Sequence, residues 1–257
     1  MDMDTPEADP ALEWKLRAVA VPVAFALAVA FNRWETGHWL QRTFLTMIPH
    51  ELGHALVGWW SGYAAVPGLW KTSIPEVRSL APTVLVGALE AAGAYVGWRA
   101  NRTWLMLAAV ALAAAQLLAT TASATTSHLA ITFGGDAGAM VIGTALVCCF
   151  FVGEESRLRR GGLRWGLLVI GAAAYVDTAA TWWRARTDRD VIPFGEIEGV
   201  GRSDPSRLVE DHGWTTAQLV DRYVVVVGLC ALVVAAAYAW GVYDARRRAR
   251  GAREAPS

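Results

Sequence analysis

Long apolar stretches alternate with short polar connections along most of the chain. Seven stretches are almost free of charged residues, and they cover residues 18–31, 44–63, 80–98, 104–121, 128–152, 165–183 and 223–243. An α-helix needs about 20 mostly apolar residues to cross roughly 30 Å of hydrocarbon. Most of these stretches are near that length. The pattern therefore predicts an all-α fold, a polytopic transmembrane helix bundle of six to seven spans.

The first apolar stretch, residues 18–31, is short for a span and allows two interpretations. It ends on Ala28-Val29-Ala30, which is similar to the cleavage site of a signal peptide. Leu16 lengthens the stretch, and Lys15 and Arg17 can extend their charged ends to the membrane interface. The preceding residues are net acidic rather than basic, and this favours a helix that is retained.

Charge divides the rest of the chain into segments. The predicted segments are a disordered acidic N-terminus (1–13), a membrane bundle (14–183), a polar extramembrane loop (184–222), a final transmembrane helix (223–243) and a basic tail (244–257). Within the polar loop, Ser203-Asp204-Pro205 is typical of the start of a helix. The basic tail predicts a cytoplasmic C-terminus, and seven spans would then place the N-terminus outside.

Composition supports the membrane class and excludes others. Hydrophobic residues make up 54% of the chain and charged residues 18%, whereas about a quarter of a soluble domain is charged. We therefore expect a multi-pass protein of the cell membrane with the lipid bilayer as its surroundings. The net charge of zero gives no electrostatic basis for binding nucleic acid. The three cysteines all lie in apolar stretches, which is typical of packing residues, and no pattern specifies an oligomeric state.

His50-Glu51-Leu52-Gly53-His54 has the spacing of a zinc hydrolase motif. Residues four apart on an α-helix lie on one face, so His50 and His54 can bind the same metal ion. Zinc activates a bound water molecule, and a carboxylate beside it can take a proton as the water attacks a carbonyl group. Glu51 is adjacent to the first histidine and can serve as that base.

The surroundings of the motif argue against an accidental match. Charged residues in the middle of a membrane helix cost about 2.5–3.5 kcal/mol each on insertion scales, and they usually mark function. Pro49 directly precedes His50, which predicts that the helix begins near Pro49 or kinks there. Gly53 and Gly58 are small enough to let another helix approach closely.

The segment from Ile48 to Leu56, Ile-Pro-His-Glu-Leu-Gly-His-Ala-Leu, resembles the active-site helix of the site-2 protease family of intramembrane metalloproteases. The resemblance is specific over about ten residues. It implies that the motif lies in a transmembrane helix and that an aspartate beside glycine, in a later transmembrane segment, is the third zinc ligand. The Asn-Pro and Leu-Asp-Gly sequences that usually surround this aspartate are not present.

Asp136 is the predicted third ligand. A catalytic zinc site has three protein ligands and an open position. Asp136 lies in the glycine-rich segment 134–138, where the backbone can bend and approach another helix. The alternative is that Asp136 caps a helix that begins at Ala137.

Two further residues remain alternatives for the third ligand. Asp177 is an acid inside an apolar stretch and needs a partner, which can be a metal ion or an arginine or hydroxyl of another helix. His128 is a good ligand chemically but lies at a polar turn. Glu90 could form a hydrogen bond to the site or face a polar cavity.

These observations predict an intramembrane zinc metalloprotease that hydrolyses peptide bonds of membrane proteins or membrane-associated peptides. Zn²⁺ is expected on His50, His54 and Asp136, with Glu51 as the general base. One alternative is a metal-binding membrane protein without proteolytic activity, such as a transporter. Another is a catalytically inactive membrane scaffold, which would bind no stoichiometric metal. The intact Glu51 argues against both.

Overall fold

The computed structural model describes residues 9–153, 156–159, 162–197 and 201–254, and these residues are mostly α-helical. The helices are α1 (Pro10–Arg33), α2 (Glu35–Gln41), α3 (Met47–Trp60), α4 (Leu80–Arg99), α5 (Thr103–Thr121), α6 (Ala124–Cys148), α7 (Leu163–Arg184), α8 (Asp204–Glu210) and α9 (Thr216–Glu254). A π-helical turn (Arg42–Thr46) precedes α3, and 3₁₀ turns follow α6 (Cys149–Phe151) and α7 (Arg189–Val191). The predicted all-α class is confirmed.

Two small antiparallel hairpins accompany the helices. Strand β1 (Val66–Pro67) pairs with β2 (Thr72–Ser73), and this hairpin follows α3. Strand β3 (Glu196–Ile197) pairs with β4 (Gly201–Arg202) immediately before α8. Each strand has only two residues, so the hairpins shape connections between helices and do not form a layer of their own.

Six helices of the described residues are long and apolar enough to cross a membrane: α1, α4, α5, α6 with the turn after it, α7 and α9. This is the lower of the two predicted numbers of spans. The stretch 44–63 is not among the six; its helical residues belong to the π-helical turn and to the 14-residue α3, which continue one another without a break. Helix α3 is about 21 Å long, and a turn with Gly62 at a φ of +85° follows it. Pro49 lies in its first turn, as expected.

The ends of the chain differ from the predicted segments. Asp9 caps α1 and accepts a hydrogen bond from the Ala11 amide at 2.8 Å. Residues 10–13, which the sequence assigned to a disordered terminus, are therefore helical, while residues 1–8 lie outside the described residues. At the other end, α9 runs through Tyr243 to Glu254 without a break, so the final span and most of the basic tail form one helix.

The chain divides into two compact units. The first contains residues 1–46, 140–187 and 222–257, and the second contains residues 47–139 and 188–221. In the first unit, α1 packs along α7, and the rings of Trp182 and Tyr223 stack with their centroids 4.0 Å apart. The second unit contains the complete HExxH motif.

Glycine residues bring α3 and α6 together within the second unit. A Cβ atom placed on Gly53 would overlap the backbone at Gly134 and Gly138, and one on Gly138 would overlap the backbone of Gly53. The close approach that the sequence predicted for this segment is therefore present. The glycine-rich segment does not interrupt the helix, because α6 is helical through residues 134–138. Asp136 is therefore an interior helical residue and not the cap of a helix that begins at Ala137.

The number of crossing helices determines where the two ends of the chain lie. Six crossings return the chain to its starting side, so the N-terminus and the C-terminus should face the same side of the membrane. The basic tail predicts that this side is the cytoplasm. Reporter fusions near Thr5 and after Ser257 should both give a cytoplasmic signal. Reporters on opposite sides would instead require a seventh crossing, with α3 and its preceding turn as the additional span.

Candidate metal centre

The two histidines of the motif lie on the face of α3 that packs against α6. Their rings are almost perpendicular, and the two Nε2 atoms are 3.3 Å apart. His50, Glu51 and His54 are all buried, with 8%, 4% and 7% of their surfaces exposed. The helical spacing thus gives the juxtaposition that the sequence predicted for the two imidazoles.

Asp204, at the start of α8, completes the group. Its Oδ2 atom lies 3.2 Å from His50 Nε2 and 2.9 Å from His54 Nε2. A tetrahedral zinc ion with bonds of about 2.0–2.1 Å needs ligand atoms about 3.3 Å apart. The three atoms therefore form a triangle of the size that one face of a zinc tetrahedron requires, and this leaves the fourth position open.

The second nitrogen of each histidine has a partner that fixes the ring. His54 Nδ1 lies 2.6 Å from the Ile131 carbonyl oxygen on α6. A carbonyl can only accept a hydrogen bond, so Nδ1 must carry the proton, and the lone pair is on Nε2. His50 Nδ1 lies 2.9 Å from Asp136 Oδ1 and donates to it in the same tautomer. Histidines that bind metals commonly have such a carbonyl or carboxylate partner on the other nitrogen.

These hydrogen bonds provide a test of whether a metal ion suits the site. With both Nδ1 atoms protonated and both rings neutral, the lone pairs of two imidazoles and one carboxylate converge on the same point without a donor among them. Such an arrangement is costly in a buried site unless a cation is present, either a metal ion or a proton on one Nε2 atom. The donor set of two nitrogens and one oxygen is one that zinc accepts.

Asp136 has a different position from the one that the sequence predicted. It is buried on α6, but its carboxylate meets His50 at Nδ1, on the far side of the ring from Asp204. In the second unit, the group with metal-ligand spacing is His50, His54 and Asp204. The geometry therefore gives Asp136 the role of orienting His50 and increasing its basicity, and it makes Asp204 the third ligand candidate.

The other predicted alternatives lie elsewhere. Asp177 belongs to the first unit, where Asn32 and Arg42 each donate a hydrogen bond to it at 3.2 Å. His38 also pairs with Asp177, at 2.9 Å. The interpretation of Asp177 as a buried acid paired with arginine is thus the one that the geometry supports.

His128 and Glu90 are not among the atoms that converge. The His128 ring packs against the Tyr63 ring with a centroid distance of 5.1 Å. Glu90 is buried on α4, and within the described residues its carboxylate oxygens have no hydrogen-bond partner. Neither residue contributes to the candidate metal centre.

Packing of the segment between α7 and α9 determines the position of Asp204. Ser203 caps α8 by accepting a hydrogen bond from the Ser206 amide, as Ser203-Asp204-Pro205 predicted. Leu208 of the same helix is fully buried, and Trp214 beyond it packs against Phe133 of α6 at 5.6 Å. The helix start was visible in the sequence, but no sequence signal indicated that its aspartate would face the two histidines.

The electrostatic state of Asp204 agrees with this position. Burial alone would raise the pKa of the Asp204 carboxyl, but His54 and His50, when they carry a proton on Nε2, more than offset this effect and hold the pKa below its usual range. Asp204 is therefore an ionised carboxylate at neutral pH, which is the form that binds a metal ion.

Glu51 is oriented by the hairpin that follows α3. Thr72 Oγ1 on β2 lies 2.7 Å from Glu51 Oε2 and 2.8 Å from the Glu51 carbonyl oxygen, and the hydroxyl donates its hydrogen to this pair of acceptors. Thr72 also lines a groove of about 510 Å³ with Lys71, Ser73 and Arg207. The groove gives solvent a route to the hairpin that holds Glu51.

Comparisons of the chain with protein-family models, with curated proteins and with solved structures found no match. The class of the protein is therefore defined by its fold and site alone. Its described residues form an all-α fold with six helices long and apolar enough to cross a membrane, and with a cluster of His50, His54 and Asp136, which are buried, and Asp204, which is partly buried.

Removal of the Asp204 carboxylate should remove the metal. The purified protein should contain about one zinc per chain, and Asp204→Ala should lose it because two imidazoles alone make a weak site. Asp136→Asn should keep all three ligands but weaken zinc binding by about 10–100-fold. Elemental analysis and competition with a chromogenic chelator would measure both effects.

Asp211→Ala is the matched control for Asp204→Ala, because Asp211 ends the same helix and pairs with the exposed Arg202. It should bind zinc like the unmodified protein. Full zinc content in Asp204→Ala, with loss in Asp136→Ala, would return the role of third ligand to Asp136.

Gly135 should be required for an open metal centre. A Cβ atom at this position would lie 2.5 Å from His54 Nε2 and 2.6 Å from His50 Cε1. Gly135→Ala should therefore displace the imidazoles and abolish zinc binding, as measured by elemental analysis. Gly228→Ala on α9 is the control, since nothing lies within 4 Å of a Cβ atom there. Unchanged zinc content in Gly135→Ala would contradict this geometry.

Proposed function

We propose that the protein is a membrane-embedded zinc metalloprotease that hydrolyses peptide bonds of membrane proteins or membrane-associated peptides. The observation that carries the proposal is the triangle of His50 Nε2, His54 Nε2 and Asp204 Oδ2, with separations of 2.9–3.3 Å. Its similarity to a site-2 protease rests on the HExxH helix, and its third ligand would come from an extramembrane segment.

Zinc would be held by His50, His54 and Asp204. When bound, it supplies a Lewis acid that activates water and polarises a peptide carbonyl. Asp136 and the Ile131 carbonyl keep the two imidazoles in the tautomer that this role needs. The Asp204 carboxylate supplies the only formal negative charge among the three ligands.

Glu51 would act as the base and later as the proton donor. It follows His50 directly on α3, and Oε2 is held by the Thr72 hydroxyl at 2.7 Å. A carboxylate that is fixed in this way can take a proton from water and return it to the leaving amine. The burial of Glu51 limits exchange of that proton with bulk solvent.

A substrate must present an extended segment to this site. Peptide carbonyls within a transmembrane helix are already hydrogen-bonded, and hydrolysis requires that they be released. The groove beside Thr72 combines backbone of β2 with cationic side chains, and it is open to solvent. These features favour a substrate segment that leaves the hydrocarbon region before it is cleaved.

Substitution of Glu51 separates metal binding from hydrolysis. Glu51→Gln should retain about one zinc per chain, because Glu51 is not a ligand, and should lose hydrolysis by at least about 100-fold, the usual contribution of a general base. Digestion of synthetic transmembrane peptides in detergent, followed by mass spectrometry, would measure the rate. Glu76→Gln, which changes an exposed glutamate of the same unit, should retain activity.

Two results would refute the proteolytic role. One is a zinc-loaded protein that cleaves none of these peptides in any detergent or bilayer preparation. The other is zinc flux across liposomes that is equal in the unmodified protein and in Glu51→Gln, which would identify a transporter.

A further inference from the structure

Helices α1 and α9 meet along a seam within the first compact unit, and the seam contains two clefts. The first cleft, of about 260 Å³, is apolar and is lined by Val21, Pro22 and Phe25 of α1 and by Ala231, Ala235 and Tyr238 of α9. The second, of about 240 Å³, is lined by Trp14 of α1 and by Arg246, Ala249 and Arg250 of α9. Neither cleft includes a residue of the candidate metal centre.

The two clefts follow one another along the two helices. On α9, positions 231, 235 and 238 follow three- and four-residue steps, and so do positions 246 and 250; about two helical turns separate the two sets. Arg246 is eight residues beyond Tyr238, or about 12 Å along the axis, and Trp14 is about 12 Å from Pro22 along α1. The second cleft, which Arg246 and Arg250 line, therefore lies about 12 Å along the seam from the apolar cleft.

A hydrogen bond between the helices marks the point between the clefts. Pro22 has no amide hydrogen, so the Ala18 carbonyl, four residues earlier, has no donor within α1. The Tyr238 hydroxyl donates a hydrogen bond to this carbonyl at 2.8 Å. This contact joins the two helices between the two clefts, one on the side of Trp14 and the other on the side of Pro22.

Arg246 and Arg250 are the cations available in the second cleft. Both are exposed, and within the described residues neither has an ion-pair partner, whereas Arg248 pairs with Asp244. Nearby on α1, Glu13 already pairs with Arg17 and with Arg164. The two free guanidinium groups lie at the end of the apolar part of α9, beside the half-buried Trp14, as is typical of the membrane interface.

We propose that this seam binds one anionic phospholipid. The acyl chain would occupy the apolar cleft, and the phosphate would lie between Arg246 and Arg250, whose planar groups suit phosphate oxygens. Both helices are long and apolar enough to cross the membrane, so the clefts face the hydrocarbon and headgroup levels respectively. The proposal does not depend on metal binding or proteolysis.

Native mass spectrometry can test the site directly. The probe is phosphatidylglycerol, presented in nanodiscs with an equal amount of phosphatidylcholine, after which the protein is released and its retained lipids are counted. The unmodified protein should retain one phosphatidylglycerol per chain. Arg246→Gln/Arg250→Gln should weaken retention by about 30-fold, which is the effect expected for two arginines that contact an anionic headgroup.

Two matched controls separate a site from general attraction. Arg99→Gln/Arg102→Gln removes the same charge from exposed positions at the end of α4 and just before α5. It should leave retention within about threefold, because neither arginine lines the seam. Ala235→Leu fills the apolar cleft and should weaken retention by roughly tenfold, whereas Ala236→Leu, on the adjacent face, should not.

Three outcomes would overturn the proposal. If both arginine double variants lost lipid retention equally, net charge rather than a specific site would explain the effect. If Ala235→Leu and Ala236→Leu retained lipid equally, the apolar cleft would not be the site of the acyl chain. Binding of inorganic phosphate in pure phosphatidylcholine discs, with the same dependence on Arg246 and Arg250 and none on Ala235, would identify a simple anion site instead.

Discussion

Contact between the backbones of α3 and α6 is the constraint on which the candidate metal centre depends. Gly53 on α3 contacts the backbone of Gly134 and Gly138 on α6, because none of these three residues has a side chain. At this separation the histidine rings reach across to α6, so that the Ile131 carbonyl and the Asp136 carboxylate become their hydrogen-bond partners. Small residues are the usual means by which helices in membranes approach so closely.

The same contact explains why Asp136 serves the site indirectly. On α6 it lies beside Gly135, which is the residue that faces the two imidazoles and leaves room for them. The Asp136 carboxylate is therefore directed at the side of His50 that carries Nδ1. A third candidate ligand on the opposite side of the ring has to come from another element, and Asp204 of α8 lies there.

The buried carboxylates Asp177 and Glu13 of the first unit have protein donors, and this distinguishes them from the candidate metal centre. In the first unit, Asp177 pairs with Arg42 and His38 and accepts a hydrogen bond from Asn32. Glu13 pairs with Arg17 and Arg164. Each carboxylate there accepts from donors, which offsets the cost of its burial. At His50, His54 and Asp204, three acceptors instead converge in the tautomers that their surroundings impose, and a cation is what would balance them.

Periodicity and spacing in the sequence determined most of the helices and half of the site. The apolar stretches determined the long helices, His50 and His54 were paired by the four-residue step of α3, and Ser203-Asp204-Pro205 marked the start of α8. These features are local, because they depend on residues within a few turns of each other. Tertiary structure alone decided that Asp204, rather than Asp136, faces the two Nε2 atoms. The burial of Leu208 and the packing of Trp214 against Phe133 hold α8 in place. Such contacts join residues far apart in the sequence, so the local sequence around Asp204 does not indicate them.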